Sequence, residues 1–370
     1  MIRVALLLAV LILSQARAQD ENSWTIPTEM CRGYFFVPLV VGARDGRSES
    51  EADRTLWMLY DTGASATYID PDSLERVTNM SVTDHRRVNI TNARIGPVSV
   101  NRMPSRLAEL DHLTVGLGRE IDGILAVDVF ERFLTTLDYE TGTLRLARGE
   151  LPVPDNIAVF STRGPGKRPY LEIEIDGRTR RVLIDSGAAS TPLALNRLDH
   201  YRLTADARPI GASIRFQHIE YRDGGRLWGN ARFGAHVIAQ PLVEEVPETE
   251  LLGGMLMRHF NWTFDHSNER VLVERISGDG PIAIDAETTH GLALRPEGAA
   301  LVVEAILPGS RGEEAGLQPG DVLTHFDGRP VADRGCGPRD GEDPATEIII
   351  TRMRDGEMLD VVLPLVTLVD

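Results

Sequence analysis

The sequence has only two cysteines, Cys31 and Cys336, among its 370 residues. Two cysteines cannot form a disulfide framework or a cysteine-rich metal cluster, although one bridge between them can form in an oxidising compartment. The nine histidines are scattered without an H-x-x-x-H or H-E-x-x-H pair, which disfavours a zinc hydrolase. No G-x-S-x-G motif of a serine hydrolase occurs either. The sequence therefore predicts neither a metal nor a cofactor.

Positive charge is scarce relative to negative charge. The chain has 39 Lys and Arg against 55 Asp and Glu, a formal net charge of -16. Nucleic-acid binding requires clustered Lys and Arg to contact phosphates, so a nucleic-acid partner is not expected. The simplest role of the excess negative charge is solubility.

Long hydrophobic runs are also lacking, apart from one near the N-terminus. Residues 4–13 are apolar, but a run of this length is too short to span a bilayer. Arg3 precedes the run, and Ala16 and Ala18 supply the small residues of a cleavage site. We interpret 1–18 as a signal peptide cleaved after Ala18, which predicts a secreted or periplasmic protein without a stable membrane span. A short membrane anchor is the alternative.

One segment of the chain occurs twice. Residues 59–65 read LYDTGAS and residues 183–189 read LIDSGAA, so the two aspartates, Asp61 and Asp185, are 124 positions apart. Each copy follows a predicted β-hairpin, formed by strands at 34–41 and 55–60 in the first copy and at 170–175 and 178–184 in the second.

The match continues downstream of both motifs. Residues 124–126 correspond to 251–253, and residues 133–138 correspond to 260–265, at an offset of 127. Several ordered matches at nearly one spacing indicate an internal duplication. We therefore predict two homologous all-β lobes, at 19–150 and 151–276.

The paired D-[ST]-G motifs suggest a specific chemistry. Two carboxylates within hydrogen-bonding reach cannot both ionise easily, so one of them retains a proton. Asp61 and Asp185 would then act together, one taking a proton from a bound water and the other donating a proton to a substrate carbonyl. Their supporting residues are two glycines that permit a sharp turn and two hydroxyl residues that can hydrogen-bond between the loops: Gly63, Gly187, Thr62 and Ser186.

These motifs, together with the segments at 124–126 and 251–253, resemble those of pepsin-like and retropepsin-like aspartic peptidases over residues 30–276. The resemblance implies a bilobal β fold, an activated water, and cleavage of extended polypeptides in a cleft between lobes. An Ala follows each motif, as in retropepsins, and the absence of a hydroxyl there predicts an optimum at mildly acid pH. Two features depart from the family pattern: Ala126 replaces a Gly, and the flap region expected at 88–103 has no obvious aromatic residue.

The C-terminal region differs in composition. A linker-like segment, 277–281, precedes a run at 315–323 that reads AGLQPGDVL and resembles bacterial PDZ domains. The resemblance implies that a peptide C-terminus binds beside the backbone amides of Leu292, Ala293 and Leu294. The stretch 332–346, where a groove-lining helix would lie, contains several Gly and Pro and is a poor helix sequence. The alternative is a domain that only packs against the lobes.

The sequence thus predicts an all-β protein, with a bilobal acid-protease-like fold followed by a small PDZ-like domain at 277–370. The predicted function is that of an aspartic endopeptidase whose PDZ domain assists binding of substrate or partner. Two alternatives stay open. One is a non-catalytic protein that holds peptide in a peptidase-like cleft, and the other treats the PDZ-like domain as the main functional unit.

Overall fold

The structure is a computed structural model that describes residues 22–42, 50–78, 82, 86–215, 218–285, 288–312, 314–333, 335, 347–367 and 369. Within these ranges only the backbone is described at 212–215, 218–220 and 288. The predicted signal peptide and Cys336 lie outside the described residues.

The first lobe is built from short strands and two short helices. In chain order these are β1 (Ser23–Ile26), β2 (Glu29–Cys31), β3 (Tyr34–Val41), β4 (Thr55–Asp61), β5 (Thr67–Ile69), α1 (Pro71–Thr78), β6 (Arg87–Ile90), β7 (Ala93–Ile95), β8 (Val98–Val100), β9 (Met103–Leu107), α2 (Asp111–Leu117), β10 (Gly123–Ala126), β11 (Leu134–Asp138) and β12 (Thr143–Ala147). The predicted hairpin strands at 34–41 and 55–60 are confirmed as β3 and β4. Both are rich in apolar and aromatic residues that favour buried strands.

The second lobe largely repeats this order of strands. Its elements are β13 (Val159–Ser161), β14 (Tyr170–Ile175), β15 (Arg178–Ile184), β16 (Leu193–Leu195), β17 (Arg208–Arg215), β18 (His218–Arg226), β19 (Ala231–Phe233), β20 (His236–Ala239), β21 (Leu242–Glu245), β22 (Leu251–Leu252), α3 (Gly254–Met257), β23 (Phe260–Asp265), β24 (Arg270–Arg275) and β25 (Ile282–Ala283). The predicted strands at 170–175 and 178–184 are confirmed. Asp176 and Gly177 both have positive φ, as a two-residue hairpin turn requires.

The two lobes have equivalent sheets. In each lobe the strand that leads into the D-[ST]-G motif lies parallel to a short strand from the downstream block, β10 beside β4 and β22 beside β15. A third sheet joins the lobes, in the order β1-β12-β11-β23-β24-β13. Its central pair, β11 and β23, brings Thr136 opposite Thr263. These two residues are 127 positions apart, the offset of the duplication, so a pseudo-twofold axis passes between them.

One hydrophobic core runs through both lobes and the joining sheet. Its largest fully buried side chains include Tyr60, Phe130, Phe260, Trp262 and Phe264. Large aromatic rings contribute most of the buried apolar area in such a core. The strands that carry the two motifs therefore pack against a core that both lobes share.

The C-terminal domain has its own sheet and its own core. Its elements are β26 (Thr288–Thr289), β27 (Leu292–Glu297), β28 (Ala300–Ile306), β29 (Val322–Phe326), β30 (Arg329–Pro330), a 3₁₀ helix (Val331–Asp333), β31 (Glu347–Arg354), β32 (Glu357–Pro364) and β33 (Val366–Thr367). The main sheet has the order β27-β28-β29-β31-β32, with β27 at one edge. A separate hydrophobic cluster fills its interior.

The linker-like segment is followed by one more strand of the second lobe. Strand β25 pairs with β20, and Ile282 and Ile284 are buried in the core of the lobes. The described sheet of the C-terminal domain therefore begins later than the predicted boundary at 277. No helix among the described residues is both long and apolar enough to cross a membrane.

Candidate active site

The two aspartates lie at the ends of equivalent strands. Asp61 is the last residue of β4, and its neighbour on the parallel strand β10 is Ala126. Asp185 follows β15 directly, and its amide donates a hydrogen bond of 3.0 Å to the carbonyl of Leu252 on β22. Both carboxyl groups are thus placed by buried strands and not by free loops.

Reciprocal hydrogen bonds join the two motif loops. The Thr62 hydroxyl donates to the carbonyl of Ile184 at 2.7 Å and accepts from the Ser186 amide at 2.9 Å. The Ser186 hydroxyl in turn donates to the carbonyl of Tyr60 at 3.0 Å and accepts from the Thr62 amide at 3.0 Å. Thr62 and Ser186 are both fully buried, so a lost bond would leave unsatisfied polar groups. The network fixes the distance between the loops.

Each motif glycine lies against the aspartate of the other lobe. A Cβ atom on Gly63 would stand 2.4 Å from Oδ2 of Asp185, and one on Gly187 would stand 2.4 Å from Cγ of Asp61. Contacts this short do not occur, so only glycine permits this approach. The glycines are needed for the meeting of the two carboxyl groups as well as for the turn itself.

Backbone amides hold the carboxyl groups in place. Oδ1 of Asp61 accepts from the Gly63 amide at 2.7 Å and from the Ala64 amide at 3.1 Å. Oδ1 of Asp185 accepts from the Gly187 amide at 2.9 Å. The two side chains also hydrogen-bond to each other, and both residues remain partly open to solvent.

The environment raises the pKa of both carboxyl groups. Burial raises the pKa of Asp61, and the amide bonds from Gly63 and Ala64 oppose that shift. Burial also raises the pKa of Asp185, to about 7, and the neighbouring charge and hydrogen bond of Asp61 contribute to this rise. Asp61 accepts more backbone hydrogen bonds, which favours the anion there. The pair can therefore hold a single proton, and it titrates as a unit.

This arrangement can perform general acid–base chemistry. A carboxylate can take a proton from a water molecule while the adjacent carboxylic acid donates one to an oxygen of a substrate. No group of three or more His, Cys, Asp or Glu that could hold a metal ion lies among the described residues.

The replacement of Gly by Ala at 126 has a local explanation. Gly253, the equivalent residue, cannot carry a Cβ, because that atom would lie 2.4 Å from the carbonyl of Thr191. In the first lobe Ala126 fits at 2% exposure, and its amide donates to the hydroxyl of Thr67 at 3.1 Å. The departure from the family pattern thus leaves Ala126 paired with Asp61.

The structure places the β7–β8 hairpin, the central part of the expected flap region 88–103, away from the carboxyl groups. Gly96 and Pro97 form the turn between β7 and β8, and a Cβ on Gly96 would contact Ile26 of β1. Strand β7 pairs with the end of β3 that is distant from the motif, where Leu39 is opposite Ile95. The Ile26 and Ile95 side chains are buried, so packing against the core holds this hairpin in place.

A longer hairpin in the second lobe was not anticipated from the sequence. Strands β17 and β18 pair from Arg208 opposite Gly224 to Arg215 opposite His218, and in β18 the residues 224–226 pair with β21 of the main lobe sheet. The rest of the hairpin therefore projects beyond that sheet. The alternation of Ile210, Ala212 and Ile214 was the signal available for the first strand.

The predicted peptide-binding segment of the C-terminal domain lies on edge strand β27. Leu292 and Ala293 are buried, and Leu294 is half-buried. The amide of Leu292 donates a hydrogen bond of 3.2 Å to Nδ1 of His290. Of the stretch 332–346, in which a groove-lining helix was in doubt, only 332, 333 and 335 are among the described residues.

Comparison with known proteins supports the C-terminal assignment. A family profile described as PDZ domain matches residues 302–336, so the chain carries a PDZ domain. No curated protein matches the chain.

Two solved structures are similar to parts of the chain. A PDZ domain protein from Parabacteroides distasonis ATCC 8503 is 19% identical over 22% of this chain and 20% of that chain, with a TM-score of 0.18. A retropepsin-like aspartic protease from Rickettsia conorii is 14% identical over 34% of this chain and 90% of that chain, with a TM-score of 0.24. These scores are low and assign no function. The predicted fold class, two all-β lobes followed by a PDZ domain, is confirmed by the sheets themselves and by the profile match.

Proposed function

We propose that this chain is an aspartic endopeptidase that hydrolyses peptide bonds in extended polypeptides. The observation that carries the proposal is the pair of facing carboxyl groups, Asp61 and Asp185, locked together by the reciprocal bonds of Thr62 and Ser186. Structural aspartates are ordinarily satisfied by cations or by amides alone. Two carboxyl groups in buried contact, in contrast, cannot both ionise without a large electrostatic cost, so one of them retains a proton. Carboxyl groups with pKa values perturbed in this way cluster at functional sites.

The proposed mechanism uses one water molecule and one shared proton. Asp61 carries the negative charge, because its Oδ1 accepts two amide bonds, and it takes a proton from the water. Asp185 holds the proton of the pair, because its pKa is raised, and it donates that proton to the carbonyl oxygen of the scissile bond. The oxygen of the water bonds to the carbonyl carbon, which gives a geminal diol. Asp61 then donates the proton it took from the water to the nitrogen, the C–N bond breaks, and one hydroxyl of the diol returns a proton to Asp185 as the carboxyl product forms.

The proposed place of action is outside the cytoplasm. The apolar segment at 4–13 supports a secretory signal peptide. Cys31 is disulfide-bonded, which suits an oxidising compartment. The proposed partners are polypeptide substrates in the cleft and peptide C-termini at the PDZ domain.

The test is proteolysis by the mature chain. Wild type, Asp61→Asn and Asp185→Asn are incubated with denatured protein between pH 3 and pH 7, and released amino groups are counted. We expect peptide release by wild type and a loss of about 10³-fold in each variant. Asp206→Asn, which removes the carboxyl group of an exposed residue in the loop before β17, serves as the control and should retain activity.

The rival function is peptide binding without cleavage. Equal release by wild type and both variants would favour this alternative and contradict the proposal. Release that a metal chelator abolishes would also contradict it, because the proposed chemistry needs no metal.

A further inference from the structure

Helix α2 contacts two different hydrophobic cores. Leu113 and Leu117, one turn apart, pack on the first lobe beside Cys31 and Phe36. Val115 lies about 200° around the helix from Leu113 and so points the other way. Yet Val115 is only 6% exposed, because it is part of the hydrophobic core of the PDZ domain. The helix is therefore shared by the lobe and the PDZ domain.

The helix contacts the strand that is expected to bind peptide. Helix α2 packs against β27, against the adjoining strand β28 and against the 3₁₀ helix Val331–Asp333. The cluster that contains Val115 also contains Leu292 and Val331. Val115 is therefore similar to the apolar side chain that a bound peptide would place against this face of the PDZ domain.

A polar contact closes the end of the same helix. Gly118, the C-cap residue directly after helix α2, has positive φ, and its carbonyl accepts a hydrogen bond of 2.8 Å from the Gly335 amide. A guanidinium nitrogen of Arg32 donates to the carbonyl of Gly335 at 3.5 Å. Two segments of the first lobe thus contact one residue of the C-terminal domain, independently of Val115.

The second lobe covers another part of the same face. Strand β17 of the projecting hairpin runs beside β27. At its start the Arg208 guanidinium reaches the loop after β28, where a Cβ on Gly309 would lie 2.3 Å away. Next to β27, the Gly291 amide donates to the hydroxyl of Thr289 at 3.0 Å, and the Leu292 amide donates to His290. Strand β17 thus lies close to the edge strand β27, and two amides near that edge already have hydrogen-bond acceptors within the C-terminal domain.

We propose that the PDZ domain uses its peptide-binding face to hold the peptidase lobes of its own chain. Helix α2 and strand β17 occupy this face, and a peptide C-terminus in solution binds only after they are displaced. Helix α2 is joined to the candidate active site by a short stretch of chain, because it leads into β10, where Ala126 pairs with Asp61. The contact is thus a clamp that a competing peptide can open.

Hydrogen exchange on the full mature chain tests the clamp without requiring peptidase activity, so that its failure and a failure of the proposed function are distinguishable. Val115→Asp places a charge in the shared contact. We expect the amides of 111–117 and 292–297 to exchange about tenfold faster than in wild type, while those of β4 keep their protection. His112→Asp introduces an aspartate at an exposed position of the same helix and should exchange like wild type.

Unchanged protection of 292–297 in Val115→Asp would overturn the proposal, because the helix would then not hold the PDZ domain. If Val115→Asp does not fold, as loss of protection in β4 would reveal, Val115→Ala replaces it. That variant should accelerate exchange in the same two segments by about threefold.

A peptide-binding assay provides a second test of the proposal. The probe is a fluorescein-labelled peptide of sequence Gly-Ser-Gly-Ile-Val-Val with a free C-terminal carboxylate, and its C-terminal amide is the control. We expect the acid form to bind Val115→Asp about tenfold more tightly than it binds wild type or His112→Asp. Binding to wild type as tight as binding to Val115→Asp would mean that the face is free, and would overturn the proposal.

Discussion

The two lobes carry the same motif in different surroundings. In the first lobe the carboxylate of Asp61 accepts two amide bonds, whereas that of Asp185 in the second lobe accepts one. The residue beside the motif strand is Ala126 in one lobe and Gly253 in the other, where no Cβ fits. A duplicated fold can therefore keep the contacts on its pseudo-twofold axis while the flanking contacts diverge. This asymmetry allows two chemically identical side chains to hold different protonation states.

The largest expected effect concerns the residue beside each motif strand, at which the two lobes differ. Gly253→Ala would drive a Cβ against the carbonyl of Thr191, and we expect it to lower the free energy of unfolding by about 3 kcal/mol. The mirror variant, Ala126→Gly, removes a methyl group and adds chain entropy, which should cost about 1 kcal/mol. Urea unfolding monitored by tryptophan fluorescence measures both. Equal losses would contradict the asymmetry.

The next effect concerns the contacts that the two lobes share. Thr62→Val and Ser186→Ala each remove a buried hydroxyl that makes two hydrogen bonds, and we expect each to cost about 2 kcal/mol. The exposed neighbours provide matched controls, Ser65→Ala and Ser190→Ala, which should change stability by less than about 0.5 kcal/mol. Markedly unequal losses in the two lobes would mean that the network is not symmetric in energy.

The raised pKa of Asp185 predicts a dependence of stability on pH. Because the native pKa is about 7 and the unfolded value is lower, the native state binds more protons in between, and stability falls as pH rises through that window. Asp185→Asn cannot ionise, so it should be more stable than wild type by about 1–2 kcal/mol at pH 8. The difference should vanish at pH 4. Thermal unfolding at both pH values measures it, and a wild type that is more stable at pH 8 would contradict the raised pKa.

The smallest effect concerns the residue after each motif. Ala64 offers only its backbone amide to Asp61, so the anion receives no side-chain hydrogen bond from this position. In Ala64→Thr a hydroxyl can donate to Asp61, which lowers the pKa of the pair. We expect the acid limb of kcat/KM in this variant to lie about 0.5 to 1 pH unit below that of wild type. An acid limb that stays in place would show that the introduced hydroxyl does not reach the carboxylate.

The pseudo-twofold relation between the lobes could be predicted from the sequence, because the duplicated motif occurs once in each lobe. The paired motifs predict the strands that lead into Asp61 and Asp185. They also predict roles for the glycine and hydroxyl residues of each motif, because these roles depend on neighbours close in sequence or on the duplicated motif itself. The hairpin at Gly96 could not be assigned in this way, because its position depends on the burial of Ile26 and Ile95 against distant strands. The role of Val115 was equally hidden: one apolar residue on the outer face of a short helix has no periodic signal.

The central claim is that Asp61 and Asp185 act as one catalytic unit. The most direct test compares kcat/KM for wild type, Asp61→Asn, Asp185→Asn and the double variant on one unfolded substrate. We predict that each single variant loses about 10³-fold and that the double variant loses little more, because groups that act as a unit are not additive. A single variant that keeps wild-type kcat/KM, or losses that multiply in the double variant, would contradict the account.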